Sequence, residues 1–376
     1  MSQDNALQVF YDEKLVGTLA MTAEHKVAFQ YCEEWLENGF AISPFSLPLK
    51  NQVFVPTKDY FWGLFGVFAD SLPDNWGRLL LDRLLRSNGQ NPDKLTILDR
   101  LAIVGKSGMG ALTYYPEKKL EEKPGNMNFD ELAVQCQKIL NTEYSDKLDE
   151  LYRLGGTSGG ARPKIMTTID NEEWIIKFPA HVDGINAGKM EYDYSQCAMQ
   201  CGIIMSETRL FPSERCKGYF GTKRFDRRSN KTECQKIHML TAAALLELDF
   251  EQPSLDYHSL MKLTKILTRD NKNDVENMFR RMCFNVFAHN RDDHSKNFTY
   301  LYNEKEDVWR LSPAYDLTYS TTYYGEHTTT VDGNGRNPGK KELLAVGGAA
   351  GMKKKDCMNI INQIEECVER MLEEYV

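Results

Sequence analysis

The stretch Ala288–Phe298, AHNRDDHSKNF, sets amides, two carboxylates, two imidazoles and two cations side by side directly after an apolar run. A loop that had only to be soluble needs none of this. Asp292 and Asn297 stand at R-D-x-x-x-x-N spacing. A carboxylate can meet the proton of an attacking hydroxyl, and an amide oxygen a few residues on can reach a Mg2+ ion between phosphates. Asp316, in LSPAYDL, offers a second hard oxygen ligand for such an ion. The competing reading is a polar helix end in which His294 and Lys296 offset Asp292 and Asp293.

A second cluster lies upstream. GGTSGGAR, Gly155–Arg162, is neither a Walker A loop, because Ala161 stands where the Lys belongs, nor a G-x-G-x-x-G turn. Its glycines let backbone N–H groups approach phosphate oxygens closely, or they make a plain flexible turn. Two short strands follow, IMTTI and WIIKF. Alternation puts Trp174, Ile176 and Phe178 on one face and Ile175 and Lys177 on the other. Lys177 is placed to hold nucleotide phosphates, or it is a surface lysine with a buried stem. Glu191 opens the next helix, either as a partner of Lys177 or as an acid at a helix start.

In chain order the set is glycine turn, strand Lys, helix Glu, base Asp, metal Asn and metal Asp. Its spacing matches the catalytic loop and metal anchors of a two-lobed phosphotransferase. The D-F-G tripeptide is absent, since Tyr315 precedes Asp316 and Leu317 follows it. A rival reading makes His289, Asp292, Asp293 and His294 the ligands of a metal-dependent phosphohydrolase. The chain has no His-Asp dipeptide, and that reading leaves the glycine turn and Lys177 without a task.

The elements that must position these residues can be read from periodicity. ALQVFYDEKLVGTLAM predicts a hairpin turning at Asp12 and Glu13, and NWGRLLLDRLLRS predicts a helix. The charged, Pro- and Gly-bearing segment Pro116–Asn128 predicts an exposed boundary. Beyond it FDELAVQCQKIL predicts a helix with Phe129, Leu132, Ala133, Cys136 and Leu140 on one side. A further helix is expected at about 189–201 and a strand ending YFGTKRF. From His238 the chain reads as mainly helical, with the helix Val275–Ala288 leading into the opening stretch. Strand-rich first and helical afterwards, the sequence predicts an α+β fold of two or three units over 376 residues.

Composition sets the outer limits. Hydrophobic content of 41% with 11% aromatic residues is enough for a packed core. A net charge of −8 argues against a protein that coats nucleic acid by itself. Nine cysteines without a C-x-x-C pair suit a reducing compartment, and Cys197 and Cys201, at i,i+4, are expected to face a core. No signal segment or membrane-length apolar run is visible, so a cytoplasmic location is expected.

The motifs GTSGGARPK, WIIKFP, TKRFDR, FNVFAHNRDDHSKNF and LSPAYDL resemble those of the HipA family of bacterial serine/threonine kinases. FADSLPDNWGRLLLDR and GMGAL resemble that family's N-terminal subdomain. The resemblance implies a protein-kinase-like two-lobed fold: an added N-terminal subdomain at 1–116, a strand-rich small lobe at 129–225 and a helical large lobe at 226–376. It implies the toxin half of a type II toxin–antitoxin module, using ATP and Mg2+ to phosphorylate a protein Ser or Thr. A helix-turn-helix antitoxin similar to HipB would be its partner, and DNA would be met mainly through that partner.

Carried over by position, Asp292 would be the proton acceptor, and Asn297 and Asp316 the metal ligands. Gly159, Gly160, Ala161, Arg162, Pro163 and Lys164 would form the phosphate loop, with Lys177 on the phosphates. Lys223, Arg224 and Phe225 would form the adenine-holding hinge. Asp226 would contact the ribose, or else pair with Arg224 or Arg227. His294, Ser295, Lys296 and Tyr315 would complete the nucleotide-contacting segments. Some family members silence themselves by phosphorylating a serine in the glycine loop; here Thr157 holds that position, beside Ser158. A nucleotide-binding pseudokinase acting through a partner is the alternative from another class.

Overall fold

The structure is a computed structural model that describes residues 6–118, 128–157, 159–180, 183–229, 234–249, 252–322 and 324–376. The chain forms two compact units. The first comprises Met1–Ile185, Pro212–Leu240 and Ala244–Glu247, and the second comprises Asn186–Phe211, Thr241–Ala243 and Leu248–Val376. The division differs from a simple split along the chain because the strand Tyr219–Lys223 returns to pair with Glu172–Lys177. The segment Asn186–Phe211 therefore belongs with the helices that follow.

The first unit opens with the expected hairpin. Ala6–Tyr11 pairs antiparallel with Lys14–Met21, and Asp12 and Glu13 take the left-handed conformation that a two-residue turn requires. Val27–Tyr31 and Leu112–Tyr115 extend this sheet to four strands. The helix Asn75–Ser87 buries Trp76, Leu80, Leu81, Leu84 and Leu85 along one stripe, which is the period-3.6 pattern of its sequence. Phe129–Leu140 is helical as expected, capped by Asn128 and Glu131. Its buried stripe is Leu132, Ala133, Cys136 and Ile139, so Ile139 takes the core position expected of Leu140.

The glycine turn is followed by the hairpin Lys164–Ile169 and Glu172–Lys177. Asp170 and Asn171 make its turn with positive φ, a conformation that Asp and Asn tolerate better than most residues. Trp174, Ile176 and Phe178 are buried, as alternation requires, and Lys177 lies on the other face, half-buried.

The second unit is mainly helical. The helix Lys272–Phe287 is capped by Asn271, which accepts from the backbone N–H groups of Asn273 and Asp274. It packs with Tyr257–Leu267, Lys340–Ala349 and Lys354–Leu372 around Met278, Phe279, Met282 and Phe284. The region is less uniformly helical than its composition predicts: Thr299–Asn303 and Val308–Leu311 form an antiparallel hairpin. Among the described residues no helix is long and apolar enough to cross a membrane.

Candidate active site

The residues singled out from sequence divide between the units. The glycine turn, Lys177 and the 223–226 segment fall in the first; Glu191, Asp292–Asn297 and Tyr315–Asp316 fall in the second.

In the first unit the glycine turn is held from two sides. Gly155 lies so close to the Lys164 carbonyl that a side chain at 155 would strike it, and the Trp76 indole N–H donates to that same carbonyl at 3.1 Å. Asp74 sits at the N-cap position of Asn75–Ser87 yet makes no cap to its own helix. Its Oδ2 instead accepts the Gly160 N–H at 2.7 Å, and Gly160 has φ +84°. The loop thus already directs a backbone N–H at an anionic oxygen, the property a phosphate loop needs.

Lys164 is 5% exposed, and its Nζ donates to the Gly159 carbonyl at 2.5 Å. Lys164 stands directly opposite Lys177 in the hairpin register. The Lys177 Nζ lies 5.7 Å from the Phe220 ring centroid. Arg162 pairs with Asp183 at 3.0 Å, and Pro163 accepts the Phe178 N–H at 2.9 Å, so the end of the loop is fixed to the hairpin. The Thr157 hydroxyl is buried and donates to the Ser107 carbonyl at 3.1 Å. Ser158 lies outside the described residues.

The 223–226 segment is anchored at each side chain. Lys223 pairs with Glu172 at 2.7 Å. Asp226 is 0% exposed and accepts from Arg224, from Arg227 and, at 2.9 Å, from the Gly110 N–H. Burial opposes its charge, but the two guanidinium groups outweigh it and bring its carboxyl down to about 2. The carboxylate expected on a ribose is therefore turned inward and engaged, the ion-pair arrangement that the sequence left as the other reading.

In the second unit the helix Lys272–Phe287 ends at Ala288, whose carbonyl accepts the Tyr194 hydroxyl at 2.8 Å. His289 turns the chain with φ 51°. Asp292 then presents its carboxylate outward, 61% exposed, with the His294 Nε2 at 3.9 Å. Asn297 folds back, and its Nδ2 donates to the Asp292 carbonyl at 2.7 Å. With the amide nitrogen spent there, the group that Asn297 can offer a cation is its oxygen. Tyr315 ties the next segment to this loop, its hydroxyl meeting the Lys296 carbonyl and, at 2.6 Å, the Thr299 hydroxyl. Asp316 follows with φ 53°, in the left-handed region. His294 caps the short turn Ser295–Asn297, within which Ser295 is buried. Glu191 is 4% exposed on the helix Ala187–Gln200.

Asp293 plays a part that its neighbour does not. It is 0% exposed and accepts from the Tyr257 hydroxyl at 2.8 Å, His327 Nδ1 at 3.1 Å and the Thr329 N–H at 3.0 Å. Burial pushes the Tyr257 phenol far up, so it remains a donor. A chain of bonds leads back to the loop: Asn290 donates to Asn285, Asn285 to Tyr257, and Tyr257 to Asp293. Adjacent carboxylates are thus sorted, Asp292 toward solvent and Asp293 into a network that sets the loop's course. This also separates the ligand set of the rival phosphohydrolase reading. Among the described residues the grouping of three or more His, Cys, Asp or Glu atoms close enough to hold an ion is Cys197, Cys201 and Cys367, with none of His289, Asp292, Asp293 or His294.

Residues 7–115 match the HipA N-terminal domain, and residues 156–372 match the HipA-like C-terminal domain. The chain belongs to the HipA family. Two curated proteins of Sinorhizobium fredii (strain NBRC 101917 / NGR234) are similar along most of its length. "Putative kinase Y4mE" is 24% identical, covering 98% of this chain and 92% of its own, and "Putative kinase Y4dM" is 23% identical, covering 94% and 87%. Among solved structures, HipA from the Shewanella oneidensis MR-1 complex of HipA, HipB and operator DNA superposes with a TM-score of 0.72 at 18% identity, over 98% of this chain and 90% of that one. The fold is accordingly the HipA-like α+β fold expected from the motifs.

Within this HipA-family chain, sequence reading missed Asp74 and the partners of Asp293. Asp74 carried a signal, because an Asp before N-W-G reads as a helix cap; nothing in the sequence shows that it is diverted to Gly160. His327 and Thr329 lie in a stretch without periodicity, and only the folded chain brings them to Asp293.

Proposed function

We propose that this HipA-family chain is an ATP- and Mg2+-dependent protein serine/threonine kinase and the toxin half of a toxin–antitoxin pair. The observation that carries the reading is the loop 292–297. It exposes the Asp292 carboxylate, and the Asn297 side-chain amide donates to the Asp292 backbone carbonyl, which supports a base and a metal ligand held in one turn. Asp292 accepts or orients the proton of the substrate hydroxyl. Lys164, Lys177 and the glycine N–H groups hold the nucleotide phosphates. Asn297 and Asp316 supply hard oxygen donors fit for Mg2+, which when bound offsets charge on the phosphoryl group. The kinase names of the two curated relatives support this reading.

The HipA neighbour was solved with HipB and operator DNA. We infer a helix-turn-helix partner here too, with DNA met chiefly through it, in keeping with a net charge of −8. Self-phosphorylation is proposed at Thr157 or Ser158. At Thr157 it requires the bond to Ser107 to break and the loop to open.

The test is to follow the fate of the γ-phosphate of Mg-ATP with acceptor protein present. A kinase moves it to protein Ser or Thr in the parent and not in Asp316→Asn. Nucleotide bound without turnover would make the chain a pseudokinase, and free phosphate without phosphoprotein would make it a hydrolase.

A further inference from the structure

The second unit holds a cluster of thiols that phosphoryl transfer does not use. Cys197 lies on the helix Ala187–Gln200, Cys201 follows its end, and Cys367 lies on Lys354–Leu372, which packs against it. The three Sγ atoms are all within 4.8 Å of one another. Cys197 and Cys201 are 0% exposed and Cys367 is 6% exposed, so the cluster sits just beneath the surface on the Cys367 side. The Met371 sulfur is 3.7 Å from the Cys367 Sγ, and a guanidinium nitrogen of Arg370 is 3.8 Å from it.

Alanine or valine would fill this space without putting three weakly hydrogen-bonding thiols on one point. Metal–sulfur bonds of ~2.3 Å in a trigonal arrangement set sulfurs ~4 Å apart, close to the 4.8 Å limit within which these three lie. Neither imidazole nor carboxylate belongs to the group. A set made only of thiolates, with a thioether beside it, selects a soft ion of low coordination number.

We propose that Cys197, Cys201 and Cys367 form a buried site that binds one Cu(I) ion as a three-coordinate thiolate complex. Three S–H bonds break, three Cu–S bonds form and three protons go to solvent. The metal enters as Cu(I), so no oxidant or reductant is consumed. Arg370 offsets part of the negative charge.

The test uses the reduced, metal-free full chain titrated anaerobically with Cu(I) against a chromogenic Cu(I) chelator. The parent is expected to take one equivalent from the chelator. Cys367→Ser and Cys201→Ala should lose at least tenfold in affinity, with circular dichroism matching the parent, and Cys234→Ser, at an exposed cysteine, should bind like the parent. A parent that takes no copper overturns the proposal, as does a folded Cys367→Ser or Cys201→Ala variant that binds it equally well. Where Cys201→Ala fails to fold, Cys201→Ser, which keeps the volume, takes its place, and a parent that binds no copper overturns the proposal whatever the variants do.

Discussion

Removing the Asp293 carboxylate strands three buried donors at once: the Tyr257 hydroxyl, the His327 Nδ1–H and the Thr329 N–H. A buried donor left without an acceptor costs ~1–3 kcal/mol. The three share one oxygen pair and the loop relaxes, so the costs do not add in full. Breaking a buried charged network from one side costs ~3–5 kcal/mol, and that is the expected loss of unfolding free energy for Asp293→Ala. Asp293→Asn keeps one acceptor oxygen and should lose ~1–3 kcal/mol. Urea unfolding of parent and both variants measures these directly, and amide exchange at Thr329 should quicken in the order parent, Asn, Ala. Because Asp292 is the next residue, a displaced loop should also lower kcat ~100-fold while the KM for ATP stays near the parent's. If Asp293→Ala unfolds at the parent's urea midpoint with Thr329 exchange unchanged, the network does not hold the loop.

Three further outcomes follow from other parts of the chain. Asp226→Ala leaves Arg224 and Arg227 buried without their shared anion, and should cost ~3–5 kcal/mol in urea unfolding; an unchanged midpoint would contradict the ion-pair account. His238 is buried with its Nε2 on the Ile42 carbonyl, and burial lowers its imidazole to about 4. Between roughly pH 6.5 and 4 the unfolded chain binds a proton that the folded chain refuses, so this contribution is whole above ~6.5 and lost on acidification, worth ~3 kcal/mol in all. Burial raises Glu247 to about 7, which acts in the opposite sense over much of that range. The clean reading is therefore the difference in unfolding free energy between parent and His238→Gln, which should grow from pH 4 to 6.5; a flat difference refutes it. Lys177→Ala should weaken Mg-ATP binding at least ~10-fold by calorimetry, and unaltered binding would remove Lys177 from the phosphate face.

Much of the local structure was legible because it obeys local rules. The turns at Asp12–Glu13 and Asp170–Asn171 follow from residues that tolerate positive φ, and Asn75–Ser87 follows from a repeating leucine stripe. The inward set Trp174, Ile176 and Phe178 followed from alternation alone. What could not be read depends on distant partners. Asp74 looks like a cap and serves Gly160 instead. Asp293 looks like a surface charge beside Asp292 and is an anchor for residues more than thirty positions away. The hairpin Thr299–Asn303 and Val308–Leu311 was lost inside a region whose composition is helical, because short strands carry too few residues to show their period. The two candidate roles of Asp226 differ only in the direction its carboxylate points, which no spacing reveals.

The proposed division of labour has Asp292 act on the substrate hydroxyl while other residues hold the nucleotide. Single-turnover transfer from Mg-ATP to acceptor protein by Asp292→Asn, measured with ATP affinity in the same preparation, tests it most directly. Parental affinity with transfer slowed ~100-fold or more is the expected result. Parental transfer by that variant would contradict it.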